Sequence, residues 1–191
     1  MVPMSQSAAI AAVTLALRMR FEEALRARAA GERCLADVLV TTLPVDRART
    51  VHHRCQLNLT LATVAESASM RNTMGLGGRG GAGVSTPAQL VDLLYLITAY
   101  GPDDDEVGAQ RVMGAALRAV HEQPVLPSLS IAELLPGAGV SGTLDQLRVT
   151  QAPLAREQIV AWWLAFHTPY RLSVALQVTG VSLTGMPTPE R

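Results

Sequence analysis

Few residues of this sequence have the type and spacing that chemistry requires. Gly78-Arg-Gly-Gly-Ala-Gly83 carries the letters of a dinucleotide-binding fingerprint. Such glycines meet a pyrophosphate only between a strand and a helix start, where backbone amides converge on the anion. Here Pro87 and an apolar run from Leu90 to Ile97 follow instead. The chain has no lysine, which excludes a phosphate-binding P-loop. The glycines therefore read as a flexible surface loop. His52, His53 and Cys55 raise the question of a metal. Neighbouring strand residues point to opposite faces, so at most His53 and Cys55 converge, short of the four ligands of a structural zinc site. Cys34 joins them only through a tertiary contact. Core cysteines and a half-buried histidine are the simpler reading. Asp103 to Glu106 reads as a solvated turn, because consecutive carboxylates diverge. His121 and His167 fall near helix ends, where solvated histidines suit the dipole. No serine stands in a nucleophile elbow. No catalytic residue, metal or cofactor is assigned.

The elements that carry these groups follow from apolar periodicity. Ile10, Val13, Leu17, Phe21 and Leu25 form one stripe, predicting a helix over residues 5–30 capped by Ser5 or Ser7 and stopped at Gly31. Leu35 to Leu43 reads as a strand ending at Pro44. Residues 51–61 alternate, predicting a half-buried strand with Gln56, Asn58 and Thr60 on its polar face. The run Leu90 to Ile97 is apolar on both faces, as in a central strand covered twice. Asp103 to Glu106 leads a helix to about His121, with a helical turn at Ile131 to Leu135. A short strand at Leu147 to Thr150 and a helix at Leu154 to Phe166 follow. From Tyr170 to Leu183 a long strand flips its apolar parity at Gly180, which predicts a β-bulge. The sum is one α/β (α+β) domain over residues 1–191, a mixed β-sheet flanked by helices. It carries a flexible Gly-rich loop at about 72–89 and a short flexible tail from about 185.

Composition narrows the class. In 191 residues, 49% are hydrophobic and 17% charged, enough apolar material for a packed core and far from disorder. Sixteen basic residues, all arginine, balance 16 acidic ones, so neither nucleic acid nor an anionic membrane is indicated as a partner. The longest early apolar stretch, Ala8 to Leu17, is too short to span a membrane. Arg18 and Arg20 follow it instead of preceding it, unlike a signal peptide. With only Cys34 and Cys55, no disulfide framework is indicated, which favours a reducing, cytoplasmic setting.

The helix near the C-terminus is the most informative element. At 100° per residue, Ile159, Trp162, Trp163 and Phe166 span a stripe, and Val160 and Leu164 widen it to roughly 200°. One packing surface needs about half of that. Trp163 falls between Ile159 and the Val160–Leu164 flank and is assigned to the core. Trp162, at the opposite edge, is assigned to an interface or the core rim. Arg111 and Arg118, seven residues apart on one helix face, are candidates to reach a partner's acids, with a solvated face as the alternative. Trp162, Val160, Leu164, Arg111 and Arg118 are thus the candidate interface.

The ordered motifs resemble the cap, or tail-terminator, proteins of contractile injection systems of the antifeeding-prophage and virulence-cassette type. The resemblance runs from Ile10 to Leu183 and rests on a succession of short pieces. These are Leu57-Asn-Leu59, Met70-Arg-Asn72, Leu93-Leu-Tyr-Leu-Ile-Thr-Ala-Tyr-Gly101, Ala109-Gln-Arg-Val-Met-Gly114, His121-Glu-Gln-Pro-Val-Leu126, Leu147-Arg-Val-Thr-Gln151 and Thr168-Pro-Tyr-Arg171. It implies a fold similar to phage tail terminators and a structural, non-enzymatic role. It also implies a homo-oligomeric, hexameric ring that closes the baseplate-distal end of the inner tube and holds the last sheath layer. The partners implied are the sheath and inner tube proteins. Residues 73–86 depart from the pattern as a glycine-rich insertion, and the C-terminal extension of some relatives has no counterpart. A non-enzymatic module that binds a partner strand or peptide is the alternative.

Overall fold

The computed structural model describes residues 6–30, 33–49, 52–67, 89–138 and 143–183. Ser5, Gly31, the Gly-rich stretch and the tail lie outside them. The first helix, α1 (Gln6–Ala27), buries Val13, Leu17, Phe21 and Leu25, so the predicted stripe is the packed face. Next come a short helix α2 (Arg33–Ala36), β1 (Leu39–Thr41), a 3-10 turn at Val45–Arg47, β2 (Gln56–Glu66) and β3 (Gln89–Tyr100). The chain continues through α3 (Glu106–Glu122), β4 (Val125–Leu126), β5 (Leu129–Ser130), α4 (Ile131–Leu134), β6 (Thr143–Leu144) and β7 (Leu147–Gln151). It closes with α5 (Arg156–Ala165) and β8 (Ser173–Leu183).

Six strands form one sheet in the order β1-β2-β3-β8-β7-β4, and β5 and β6 pair separately. Only β1 and β2 run parallel; the other pairs are antiparallel, which makes the sheet mixed. β3 lies at its centre, which is why its run is apolar on both faces. Leu93, Tyr95 and Ile97 face α1 and α3, while Leu96 faces the opposite layer. The Tyr95 hydroxyl lies 2.8 Å from the Thr14 hydroxyl, a polar tie between α1 and the centre of the sheet. Burial pushes its pKa up to about 12, against the smaller opposing effect of the Thr14 hydrogen bond.

The parity flip of the last strand is a bulge. Val91 pairs with Val181 and Leu93 with Val178, so β8 carries an extra residue there. Gly180 takes φ +78°, and its N–H donates to Asp92 Oδ1 at 3.0 Å. Asp105 caps α3, accepting from the N–H groups of Val107 and Gly108, both at 3.0 Å.

Three expectations are corrected. The segment 35–43 is not one strand: its start coils into α2, and only Leu39–Thr41 pairs with β2. Residues 52–54 are a turn, β2 begins at Gln56, and His53 is exposed instead of half-buried. The cysteines are not separate core thiols. Cys34 and Cys55 form a disulfide, with Cα atoms 5.5 Å apart and a sequence separation of 21. The inference of a reducing compartment loses its footing with them.

The polar face of β2 is also covered. Gln56 and Asn58 are both buried, because they bind the chain that returns from β1. The Asn58 carboxamide accepts from the Thr41 hydroxyl at 2.7 Å and the Leu43 N–H at 3.0 Å, and donates to the Leu43 carbonyl at 2.9 Å. Gln56 donates to Thr41 Oγ1 at 2.8 Å and to the Ala48 carbonyl. These bonds lay the 3-10 turn over the sheet and bring Val45 against Leu96 and Trp163.

Candidate interaction surface

α5 forms because Gln158 Oε1 accepts from the Ala155 N–H at its start, 3.2 Å away, and because no glycine or proline interrupts Arg156–Ala165. Its apolar arc is too wide for one contact, and the structure divides it. Trp163 is 4% exposed and packs on Leu96 and Val45, with Ile159, Trp162 and Phe166 half-buried around it. Phe166 and Tyr170 meet the Trp163 ring edge to face, with centroids 6.4 and 5.7 Å away. On the other flank, Val160 and Leu164 face solvent, Leu164 being 71% exposed. Tyr170 is 59% exposed where its ring meets Trp163. Sequence reasoning placed Tyr170 at a strand start and missed this contact. The signal available was Pro169 beside it, which disfavours a strand running through the sheet interior.

Arg111 and Arg118 are both exposed on α3. Arg118 Nε lies 2.6 Å from Glu122 Oε1, and Arg28, in the turn just after α1, pairs with the same carboxylate. The Arg118 and Arg28 hydrogen bonds hold the Glu122 carboxyl below the usual glutamate range. Arg111 lines a cleft of about 580 Å³ with His53, Arg54, Asp105 and the disulfide. The Asp37 carboxylate in that cleft receives Arg54 at 2.6 Å. The structure does not bring Arg111 and Arg118 together with Trp162, Val160 and Leu164: α3 and α5 sit on opposite sides of the sheet.

A second surface was not foreseen. Arg20 donates to the carbonyls of Val125 at 3.2 Å and Ala119 at 3.3 Å, tying α1 to the sheet edge. Burial, with Arg28 nearby, lowers its pKa. Beside it runs a groove of about 440 Å³ flanked by the exposed side chains of Met19 and Val125. No period in the sequence announces it, because β4 is two residues long.

Among the described residues, no three His, Cys, Asp or Glu side chains gather to hold a metal ion, and Cys34 and Cys55 are spent on each other. The acidic run is likewise engaged: Asp105 caps α3, and Asp104 and Glu106 lie 3.2 and 3.5 Å from Arg171. No helix among the described residues is long and apolar enough to cross a membrane. What the geometry offers is apolar surface and strand edges.

No curated protein sequence matches. Among solved structures, the chain is similar to the tube-terminating cap of the anti-feeding prophage. TM-score is 0.51 and identity 19%, covering 86% of this chain and 53% of that one. It is also similar to the PVC sheath/tube terminator of an extracellular contractile injection system in its extended state. There TM-score is 0.47 and identity 18%, covering 91% of this chain and 61% of that one. The chain thus spans little more than half the length of either. The cap likeness shows a fold similar to that of a tube-terminating cap. A family model, the Pvc16 N-terminal domain, matches residues 12–191. With nearly its whole length inside that model, the chain belongs to the Pvc16 N-terminal domain family.

Proposed function

We infer that this chain is a cap, or terminator, of a phage-tail-like contractile injection system. In this reading it forms a homo-oligomeric ring, sixfold as the resemblance implies. The ring closes the inner tube at the end away from the baseplate and anchors the last sheath layer. The observation that carries the reading is the family match over residues 12–191, supported by the fold likeness to a tube-terminating cap. The exposed ridge of Val160 and Leu164 supports it from physics, since a ring subunit spends apolar surface on its neighbours. Trp162, half-buried beside the ridge, belongs to the proposed interface rim, and Arg111 and Arg118 to a separate contact with sheath or tube. Light scattering on the purified chain, alone and with tube or sheath ends, tests the ring. A discrete closed oligomer is expected; a strict monomer under both conditions overturns it.

One observation favours the second reading, a module that accepts a partner strand. β1 pairs only with Gln56–Asn58, so among the described residues no strand pairs with the outer edge of β2 from Leu59 to Glu66. An extended segment could add there by backbone hydrogen bonds. Alanine changes on a partner's alternating side chains, which would weaken such binding without altering the oligomer, separate this reading from the first.

A further inference from the structure

Exposed apolar side chains are not scattered over this molecule. Among the described residues seven large ones stand exposed, and four of them fall into two patches of opposite shape. Val160 and Leu164, one turn apart on α5, project as a ridge. Met19 and Val125 flank the groove between α1 and β4, and Ala16, Leu126, Pro127 and Leu129 complete its apolar lining. The patches lie on opposite faces of the sheet, the groove with the α1 layer and the ridge with α5. The groove is preformed, because Arg20 holds its two walls through the Val125 and Ala119 carbonyls.

Two unlike patches on opposite faces cannot both be buried by a two-fold contact. Ridge on ridge leaves the groove open, and groove on groove leaves the ridge open. A head-to-tail contact buries both, and such contacts close into rings when their rotation closes. Charge fits the same register. On α5, Arg156 stands one turn before Val160, itself one turn before Leu164; on α1, Glu23 stands one turn after Met19. Arg156 and Glu23 are both exposed. With the helices antiparallel, Leu164 and Val160 meet Met19 while Arg156 meets Glu23 or falls close to it. The geometry points to a second copy of this chain as the occupant of the groove: the α5 ridge of each copy seats between Met19 and Val125 of the next. This deepens the ring reading and rests on it.

Cysteine cross-linking tests the contact on the whole chain, under the conditions in which scattering detects oligomers. Leu164→Cys and Met19→Cys are made singly and together, the native cysteines being joined to each other. Mixing the two single variants under mild oxidation should give covalent dimers that neither variant gives alone. The double variant should give a ladder that stops at the closed ring. Strong self-linking of the Leu164→Cys variant alone overturns the proposal in favour of a two-fold contact. Oligomers by scattering with no 19–164 link also overturn it, and leave the ring reading standing; a strict monomer removes both. As a second measurement, Glu23→Arg should weaken association up to about fivefold, as for an exposed ion pair, and Arg156→Glu in the same chain should restore it. Loss without restoration counts against the register.

Discussion

Trp163 gives the sharpest test of the packing. Truncating a buried tryptophan to alanine costs about 3–5 kcal/mol. Its environment here lowers that figure. The indole Nε1 is buried with no hydrogen-bond partner among the described residues. Removing an unsatisfied donor returns about 1–3 kcal/mol of desolvation. From the middle of each range, the expected net loss for Trp163→Ala is about 2 kcal/mol. With 191 residues, the unfolding entropy is about 0.4 kcal/mol/K, so Tm should fall by about 5 °C. Trp163→Phe separates the two effects. It keeps much of the ring contact with Leu96 and Val45 and deletes the orphaned N–H, so it should stay within about 1 kcal/mol of the parent. Calorimetric melts of the parent and both variants decide. If Trp163→Phe loses as much as Trp163→Ala, the reasoning about the N–H is refuted. If Trp163→Ala loses nothing, α5 is not packed on the sheet as described.

Replacing Cys34 and Cys55 by serine opens a 21-residue separation, which chain entropy values at about 3 kcal/mol; a drop in Tm of roughly 8 °C by calorimetry is expected, matched by reductant on the parent. Asn58→Ala strands the Leu43 N–H, leaves the Leu43 carbonyl to the Thr60 hydroxyl alone, and loosens the chain that carries Val45; a loss of about 1–3 kcal/mol in urea titration is expected. For Tyr95 the folded state resists ionisation: its contribution is complete below the ordinary tyrosine pKa near 10 and is lost as pH rises from there to about 12. Stability measured across that window should fall, and Tyr95→Phe should flatten the fall.

Much of the fold was legible because the sequence repeats its message over several turns or strand steps. The stripe from Val13 to Leu25, the doubly apolar β3 and the parity flip at Gly180 each encode position by period. Segments that failed carry only local or long-range information. Leu39–Thr41 is three residues long, and what decides it is pairing with β2 and the cross-link from Cys34 to Cys55. Gln56 and Asn58 look like a solvent face in any window, and become interior only because the returning chain brings backbone partners to them. The surfaces divide in the same way. The over-wide arc of α5 announced the ridge, since one helix carries it. The Met19 groove joins α1 to a two-residue strand a hundred positions away, which no period can report.

The central claim is that this chain caps a contractile particle. It is tested most directly by electron microscopy of particles from a strain lacking this protein, beside the same strain complemented with it. The account predicts sheath and tube of uncontrolled length, or no stable extended particles, without the protein, and uniform extended particles once it is restored. Particles of normal, uniform length without it would contradict the account.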